Sequence, residues 1–422
     1  MLTVANKRAV IFMPDPIIFH CDCNAFFASV EETFHPEYKN VPMAVAGDPA
    51  SRHGIILAKN ERAKKYGIKT AETIHSAKQK CPGLLLCPPR HGIYGEFCER
   101  INAIYEIYTD RVERFSIDES FLDMTFFGSD ALAIAHQLRR RVARETGITI
   151  SVGISWNKIF AKMGSEYKKP NAVTVIDRNN YRKILWPMPA GELFMVGRTT
   201  AQALEKFGVH TIGDLANTEE AFLQRQFGKS SEYLHSSANG LDVGIVGFAG
   251  AGGPTKSMGS GMTFRRDLAG EQEVRTGLLP LADNVAARLR RAGVKCTTVQ
   301  VTIKDTALKS ITRQKAVPPT WLAADLTRAC LELVRASWPA GKPIRLLTVT
   351  AQHLLPAGQA MEQISLFDTQ AGSKKMEQLE LAVDGIREKH GGGSIRHGSA
   401  LGELFSDENL QPMLKPAVPC VD

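Results

Sequence analysis

Hydrophobic and polar residues alternate along this chain with the periods of both strands and helices. Residues 17–22 form an apolar run that ends in an acid, which is typical of a buried strand, and the next nine residues turn helical. Residues 112–115 and 121–125 alternate and predict two more strands. Asp118 and Glu119 lie between these two strands, so the pattern predicts a hairpin that carries two adjacent acids.

The remaining periodic segments predict more strands and helices. The predicted strands are residues 41–46, 53–58, 149–155, 256–264, 296–304 and 344–353, and the predicted helices are residues 60–66, 96–109, 131–144, 271–292, 320–337 and 374–389. Residues 296–304 alternate between apolar and polar positions, so we expect one face to pack on helices. The outward face would contact the backbone or a groove of a nucleic acid, with the cations Lys304, Lys309, Arg313 and Lys315 adding to it.

Composition narrows the class of protein. The length of 422 residues predicts roughly two to four domains. The net charge of +8 permits nucleic-acid binding without requiring it. No apolar run approaches the roughly 18 residues that span a bilayer, and residues 1–16 lack the features of a signal peptide. The eight cysteines have no C-x-x-C spacing, so we expect reduced thiols in a cytoplasmic protein, without zinc or disulfides.

Three acids at strand ends predict a metal site. A solvated turn explains an isolated pair such as Asp118-Glu119 equally well, but Asp22 ends another apolar strand. Buried carboxylates are costly unless a cation compensates them, and Mg²⁺ prefers oxygen ligands. If the three acids converge on a pair of metal ions, they suit in-line phosphoryl displacement.

A basic segment follows the second predicted strand. Any one of its lysines fits a solvated surface, but five cations within eleven residues, beside a metal site, would more readily meet a triphosphate. They are Lys59, Arg62, Lys64, Lys65 and Lys69.

Two of these motifs together resemble a known family. Residues 22–31, with the sequence DCNAFFASVE, and residues 116–119, with the sequence SIDE, resemble the Y-family translesion DNA polymerases of the bacterial polymerase IV type. The resemblance runs from about residue 17 to the tail. It implies template-directed, low-fidelity addition of deoxynucleotides to a primer 3′ end during DNA damage tolerance and repair.

The resemblance implies an α+β multidomain fold. It has a palm with a ferredoxin-like split βαβ sheet, small fingers, a helical thumb with a helix-hairpin-helix, and a βα little finger. The assigned ranges are an N-terminal extension at 1–16, the palm at 17–54 and 90–185, the fingers at 55–89, the thumb at 186–242, a glycine-rich linker at 243–255, the little finger at 256–356 and a tail at 357–422.

The resemblance also assigns roles to residues. Two Mg²⁺ ions are expected, held by Asp22, the backbone carbonyl of Cys23, Asp118 and Glu119, with the last two acids next to the reacting hydroxyl. Phe27 is expected to exclude a 2′-hydroxyl as a steric gate, although Phe26 could serve equally well by pattern alone. Lys64 and Lys169 are expected to contact the triphosphate, while Glu61 replaces the tyrosine usual three residues before Lys64. The cations Lys158 and Lys162 are expected to face DNA, or else to lie on an exposed helix face.

The thumb segment predicts two helices joined by a short turn. Gly197 precedes the first helix, and its exposed amides would bind a DNA phosphate. A plain helical hairpin is about as consistent with this stretch alone, and Met195 stands where the family has glycine.

A short peptide after the last predicted domain resembles the Q-x-x-L-F motif by which bacterial polymerases bind the sliding clamp. Its motif residues are Gln363, Leu366 and Phe367, within residues 363–367. The expected partners are therefore primed template DNA, deoxynucleoside triphosphates and the clamp, for a protein that acts as a monomer away from membranes.

Two other classes remain open. A nucleotidyl cyclase shares a palm-like fold and paired metal acids, but it needs neither a helix-hairpin-helix nor a clamp peptide. A non-catalytic DNA-binding relative would keep those features and lose the acids. Primer extension with Mg²⁺ and four deoxynucleotides separates the three classes.

Overall fold

The structure is a computed structural model that describes residues 15–49, 54–242, 244–251, 253, 255–359, 370–396 and 398, with only the backbone for residues 370–374. The chain divides into two compact units. Apart from short terminal and loop segments, the first holds residues up to Gly252 and the second begins at Gly253.

Twelve strands and fourteen α-helices occur in the described part of the chain. The strands are β1 (Ile18–Cys23), β2 (Met43–Ala46), β3 (Ile56–Lys59), β4 (Leu85–Cys87), β5 (Val112–Arg114), β6 (Glu119–Asp123), β7 (Ile150–Ser155), β8 (Val173–Val175), β9 (Ser257–Leu268), β10 (Val294–Lys304), β11 (Ser310–Thr320) and β12 (Ile344–Pro356).

The helices alternate with these strands in the first unit and then dominate its second half. They are α1 (Phe26–Phe34), α2 (Glu61–Lys64), α3 (Ile74–Lys80), α4 (His91–Glu106), α5 (Ala131–Thr146), α6 (Lys158–Tyr167), α7 (Tyr181–Ile184), α8 (Arg198–Lys206), α9 (Ile212–Asn217), α10 (Glu220–Phe227), α11 (Ser230–Ala238), α12 (Gly270–Arg291), α13 (Ala323–Ser337) and α14 (Gln370–His390). Short 3₁₀ helices occur at Pro36–Asn40, Thr125–Asp130, Ala190–Glu192 and Ala357–Gln359.

A five-stranded sheet is the centre of the first unit, with strand order β5-β6-β1-β7-β8. β1 runs antiparallel to both β6 and β7, and β8 runs parallel to β7. Every residue of β1 and of β7 is buried, because elements cover both faces of the sheet. Helices α4 and α5 share one core with this sheet, which includes Tyr94, Leu138 and Val152.

Helix α6 packs against β7 at very close range. A Cβ atom added to Gly153 would lie 1.8 Å from the carbonyl oxygen of Ala161 and 2.4 Å from the amide nitrogen of Ser165. Glycine is therefore required at this position of β7, and its lack of a side chain brings the backbone of α6 onto the sheet.

Two further cores lie in the first unit. The three-stranded sheet β3-β2-β4 packs with α3 around Ile56 and Ile74. Helices α8 to α11 share a core with α6 that includes Leu204, Ile212 and Leu223. Thr211 and Asp214 form a capping box at the start of α9, which satisfies amides that the helix itself leaves unpaired.

The second unit is a four-stranded antiparallel sheet of order β11-β10-β12-β9, with α12 and α13 on one face. Val299, Val301 and Ile303 of β10 are fully buried against these helices, as their alternation predicts. The opposite face of the central strands is polar, with Gln352 donating to Gln300 Oε1 at 3.1 Å.

The strand register corrects part of the predicted basic face. Arg313 lies opposite Val301 and Lys315 lies opposite Val299, so both cations belong to the side of the sheet that carries the helices. Lys315 pairs with Glu332 of α13 at 2.6 Å. The expectation that both face outward with Lys304 is wrong, because β11 is in register with the apolar positions of β10 at these residues.

The predicted linker is attached to the first unit. Its described residues 244–251 form no helix or strand, but Val246 is buried against Ile18 and Phe121. The amide of Gly247 donates to Glu113 Oε2 at 2.8 Å, and the guanidinium of Arg111 lies 4.5 Å from the centre of the Phe248 ring. The glycines prevent regular structure, as predicted, without leaving this part of the segment free.

Two negative observations concern composition. Among the described helices, none is both long and apolar enough to cross a membrane. The seven described cysteines are all unpaired and buried.

Candidate active site

Antiparallel pairing brings two of the predicted acids together. Asp22 on β1 lies directly opposite Glu119 on β6, in the central part of the sheet. Asp118 lies in the turn that precedes β6, where its Oδ1 accepts from the Ser116 hydroxyl at 2.6 Å. The backbone carbonyl of Asp118 accepts from the amide of Cys23 at 2.9 Å, so the turn is attached to the end of β1.

Glu166 of α6 is a third acid at this site. Carboxylate oxygens of Asp22, Glu119 and Glu166 all lie within 4.8 Å of one another. The sequence predictions included Asp118 and missed Glu166. The signal was nevertheless present, because Glu166 is four residues after Lys162, and residues four apart share one face of a helix such as α6.

Two lysines compensate these carboxylates. Lys162 Nζ lies 2.7 Å from Glu119 Oε1, and Lys169 Nζ lies 2.8 Å from Asp22 Oδ1 and 2.7 Å from Glu166 Oε1. Both ammonium groups are largely buried, so these ion pairs are only weakly screened. The close approach of α6 to β7 is what brings Lys162 and Glu166 within reach of β1.

His20 lies behind Glu119 with a fully buried ring. The Ser165 hydroxyl donates to the carbonyl of Lys162 at 2.7 Å, and the same oxygen lies 2.7 Å from His20 Nδ1. His20 Nε2 lies 3.7 Å from Glu119 Oε2, and within the described residues it has no hydrogen-bond partner. Burial lowers the pKa of His20 and so favours the neutral ring.

The opposing acids have pKa values displaced in opposite directions. Burial raises the pKa of Asp22 to about 8, although the ammonium of Lys169 opposes this shift. Burial also acts to raise the pKa of Glu119, but interactions with His20, Asp22 and Lys162 lower it below its ordinary value. Burial raises the pKa of Asp118 against the opposing effect of Ser116. In the absence of a metal ion, Asp22 therefore holds a proton more readily than Glu119 does.

The residues fit a hard divalent cation. They supply carboxylate oxygens from three separate elements, close enough to share ions. Asp22 is buried and Glu119 partly buried, where uncompensated negative charge is costly, whereas Glu166 is exposed. The two lysines already stabilise negative charge at this point. Asp118 adjoins the cluster in the chain without belonging to it.

The two candidate gate residues have different environments. Phe26 is 3% exposed and packs in the core of the five-stranded sheet. Phe27 is partly exposed, and its ring stacks on Tyr94 with centroids 4.2 Å apart and planes inclined by 14°. Only Phe27 therefore presents an accessible ring near the start of α1.

Buried polar groups hold the residue on which Phe27 stacks. The Tyr94 hydroxyl donates to Glu31 Oε1 at 2.7 Å, and Arg90 pairs with both oxygens of the same carboxylate. The Glu31 side chain is almost completely buried, so the pair with Arg90 is what makes its charge tolerable.

The cations predicted to contact substrates have varied partners. Lys64 is exposed on α2, with its Nζ 3.7 Å from Glu61 Oε1, so the acid that replaces the usual tyrosine lies beside the lysine. Lys158 pairs with Glu113 at 2.6 Å and Lys162 faces the acidic cluster. Lys304 ends β10, and Arg313 is exposed on the edge strand β11.

The predicted helix-hairpin-helix consists of α8 and α9. Gly197 is the N-cap residue of α8. Met195 is 72% exposed and has φ = 65°, the left-handed conformation that favours glycine. The predicted clamp residues Gln363, Leu366 and Phe367 lie outside the described residues.

Comparison with solved structures defines the class of fold. A chimera of the Y-family DNA polymerases Dbh and Dpo4 matches with a TM-score of 0.71, at 23% sequence identity, over 80% of this chain and 99% of that chain. The predicted fold class, an α+β multidomain polymerase fold, is therefore confirmed.

Sequence comparison then gives the family. Models of the impB/mucB/samB family and of its C-terminal domain match residues 21–166 and 255–366. A DNA polymerase IV of Acetivibrio thermocellus is 43% identical over 91% of this chain and 97% of its own length. A DNA polymerase IV of Moorella thermoacetica is 37% identical, and DNA polymerase IV 1 of Bacillus subtilis is 34% identical, over 92% and 91% of this chain and 96% and 93% of their own lengths. The chain belongs to the impB/mucB/samB family of Y-family translesion DNA polymerases, so the resemblance and the enzyme class predicted from sequence are confirmed.

Proposed function

We propose that this chain, a lesion-bypass DNA polymerase by family, adds deoxynucleotides to a primer 3′ end at a two-metal site. One observation carries the proposal: Asp22 and Glu119 lie opposite each other on neighbouring strands, within 4.8 Å of a third acid. Asp22, Glu119 and Asp118, with the backbone carbonyl of Cys23, would hold two Mg²⁺ ions, and Glu166 adds a fourth carboxylate to the set.

The bound ions would lower the pKa of the primer hydroxyl and neutralise charge on the leaving pyrophosphate. The protein groups orient the reactants around this chemistry. Glu119 and Asp118 would lie nearest the attacking hydroxyl. Because burial raises the pKa of Asp22, cation binding would displace any proton that this carboxyl holds.

Two lysines would serve the triphosphate. Lys169 already neutralises Asp22 and Glu166, so its ammonium lies at the point where incoming phosphates would add further negative charge. Lys64 would reach the phosphates from α2. The nearby Glu61 would compete for Lys64 and weaken that contact.

Sugar selection would fall to Phe27. Its accessible ring, stacked on the buried Tyr94, presents a rigid edge that a 2′-hydroxyl would meet. A fixed aromatic neighbour is what a steric gate needs, because a mobile ring would move aside at little cost.

Primed DNA would be held by contacts to its backbone. The candidates are the N-terminus of α8 at Gly197, the cation Lys158, and the polar face of β10 with Lys304. Lys162, also expected to face DNA, is instead engaged with Glu119. Arg313 would contribute only from the sheet edge. Sliding-clamp binding through residues 363–367, a monomeric state and a cytoplasmic location complete the proposal.

A primer-extension assay tests the catalytic scheme. Asp118→Ala should abolish extension in Mg²⁺ while the dissociation constant for primed DNA stays within about twofold of the parent, because the change removes a carboxylate from the site alone. Extension by Asp118→Ala would remove Asp118 from the scheme. Absence of extension by the parent protein would favour a non-catalytic relative, and cyclic nucleotide formation would favour a cyclase.

A further inference from the structure

The turn that carries Lys169 is held by residues outside the acidic cluster. Lys169 follows the end of α6, and Asn171 stands two residues later in the left-handed conformation, with φ = 54°. Asparagine adopts this conformation more readily than most residues other than glycine, and hydrogen bonds from neighbouring residues hold Asn171 in it.

Asn24, which follows β1, supplies the first of these contacts. Its side chain is 5% exposed, and its Oδ1 accepts from the Asn171 amide at 2.8 Å and from the Thr149 hydroxyl at 3.1 Å. Its Nδ2 donates to the Ser151 hydroxyl at 2.9 Å. One buried amide therefore connects the end of β1, the start of β7 and the turn.

Arg139 supplies the second contact from α5. Its guanidinium donates to the backbone carbonyl of Asn171 at 2.7 Å and to Asn171 Oδ1 at 2.6 Å. The amide, carbonyl and side chain of Asn171 are therefore all engaged, by residues from two different elements.

We infer that Asn24 and Arg139 are positioning residues for the incoming nucleotide, acting through the turn at 169–171 that directs Lys169 to the triphosphate. The inference rests on the proposed phosphate role of Lys169. Within the part of the chain that the structure describes, no hydrogen bond joins either residue to Asp22, Glu119 or Glu166, so their effect should fall on nucleotide affinity rather than on the acids.

Nucleotide binding without turnover tests the inference. The dissociation constant of a deoxynucleoside triphosphate is measured on a dideoxy-terminated primer–template, alongside that of the DNA alone. Arg139→Ala should weaken nucleotide binding about five- to tenfold, the loss expected for misplacing one charged contact. Arg140→Ala, which removes the same charge from an exposed position of the same helix, should leave the constant unchanged.

Asn24 is buried, so its replacement by alanine is paired with a conservative replacement at the same position. Asn24→Ala should weaken nucleotide binding at least as much as Arg139→Ala, and Asn24→Asp should restore most of it, since an aspartate still accepts from Asn171 and Thr149. Thermal denaturation identifies a variant that fails to fold, in which case Arg139→Ala and Asn24→Asp decide the result.

The Lys169→Ala background distinguishes positioning from general damage. In that background, Arg139→Ala should have no further effect on nucleotide affinity. Equal losses in both backgrounds, or no loss in the parent, would overturn the inference. If Lys169→Ala alone leaves nucleotide affinity unchanged, the phosphate role of Lys169 fails and the inference fails with it, whereas continued primer extension would still support the polymerase assignment.

Discussion

At the residue scale, neighbouring side chains of the same type have different environments. Phe26 and Phe27 adjoin in the chain, but one is a core residue and the other stacks on Tyr94 at the edge of that core. The sequence pattern does not predict which of the two rings is buried, because either position near the start of a helix can be buried or exposed. Packing in three dimensions makes the choice between them.

Replacing each ring should therefore have a different consequence. Phe27→Ala should lower discrimination against ribonucleotides about tenfold or more, which corresponds to about 1.4 kcal/mol. Phe26→Ala should instead destabilise the fold by about 3–5 kcal/mol, as for a buried aromatic. Single-nucleotide insertion with matched ribo- and deoxynucleotides measures the first effect, and denaturant unfolding the second. Unchanged discrimination by Phe27→Ala would refute the gate assignment.

The raised pKa of Asp22 predicts a pH dependence of stability in the absence of metal. A carboxyl whose folded-state pKa exceeds its ordinary value of 3.8 stabilises the fold when protonated. This contribution is fully present below pH 3.8 and is lost as the pH rises through about 8. Asp22→Asn should therefore stabilise the metal-free protein more at pH 8.5 than at pH 5.

Thermal denaturation in a chelating buffer measures this difference. Mg²⁺ should selectively stabilise the parent at pH 8.5, because it compensates the ionised carboxylate that the Asn variant lacks. Equal stabilisation by Asp22→Asn at both pH values would show that burial does not hold the proton on Asp22.

At the scale of elements, one glycine sets the distance between α6 and the sheet. Gly153 allows the helix backbone to approach β7, and the helix brings Lys162 and Glu166 to the acids of β1 and β6. The lack of a side chain at a strand position opposite His20 thus determines which charges meet at the site.

Gly153→Ala should consequently impair both stability and catalysis. The added methyl has no room, so we expect a loss on the order of 3 kcal/mol in the free energy of unfolding, together with weaker extension. Gly83→Ala is the matched control, since a Cβ there meets no atom within 4 Å. Chemical denaturation and primer extension measure both variants, and a parent-like Gly153→Ala protein would show that α6 can shift without cost.

The sequence predicts the elements better than their lateral arrangement. Apolar runs and alternation locate β1, β6, β7, α5 and α12 because each buries a continuous face. The start of α13 was predicted three residues early, since Thr320 belongs to β11. The prediction that Arg313 lies on the outward face of the sheet is wrong, because strand register depends on the partner strand and not on local composition.

The sequence likewise predicts some residues of the candidate site and misses others. Asp22 and Glu119 are recognisable because acids seldom end buried strands. Glu166 and Asn24 were missed, since their roles depend on α6 and the turn at 169–171 returning to β1. Roles assigned to Lys64, Gly197 and Lys304 remain predictions.

At the scale of the whole molecule, binding to a clamp would act independently of the catalytic site. The motif residues Leu366 and Phe367 lie beyond the second unit's sheet in sequence, and far from the acids along the chain. A tethering peptide raises the effective concentration of enzyme at its substrate without altering chemistry.

Replacing both Leu366 and Phe367 with alanine should remove stimulation by the sliding clamp while unaided extension stays unchanged. Ser365→Ala, at a variable position of the same motif, is the control and should keep the stimulation. Processivity on a primed circular template, with and without the clamp, measures the effect. Full stimulation of the double variant would place the clamp contact elsewhere.

The lysines beside the acidic cluster have a consequence for biogenesis. Lys162 and Lys169 already pair with the three clustered carboxylates, so much of their negative charge is compensated before any ion arrives. We therefore expect the chain to fold without magnesium, unlike a small zinc domain that stays unfolded until it is loaded. Metal supply would then regulate the catalytic activity of the folded enzyme and not the amount of folded enzyme.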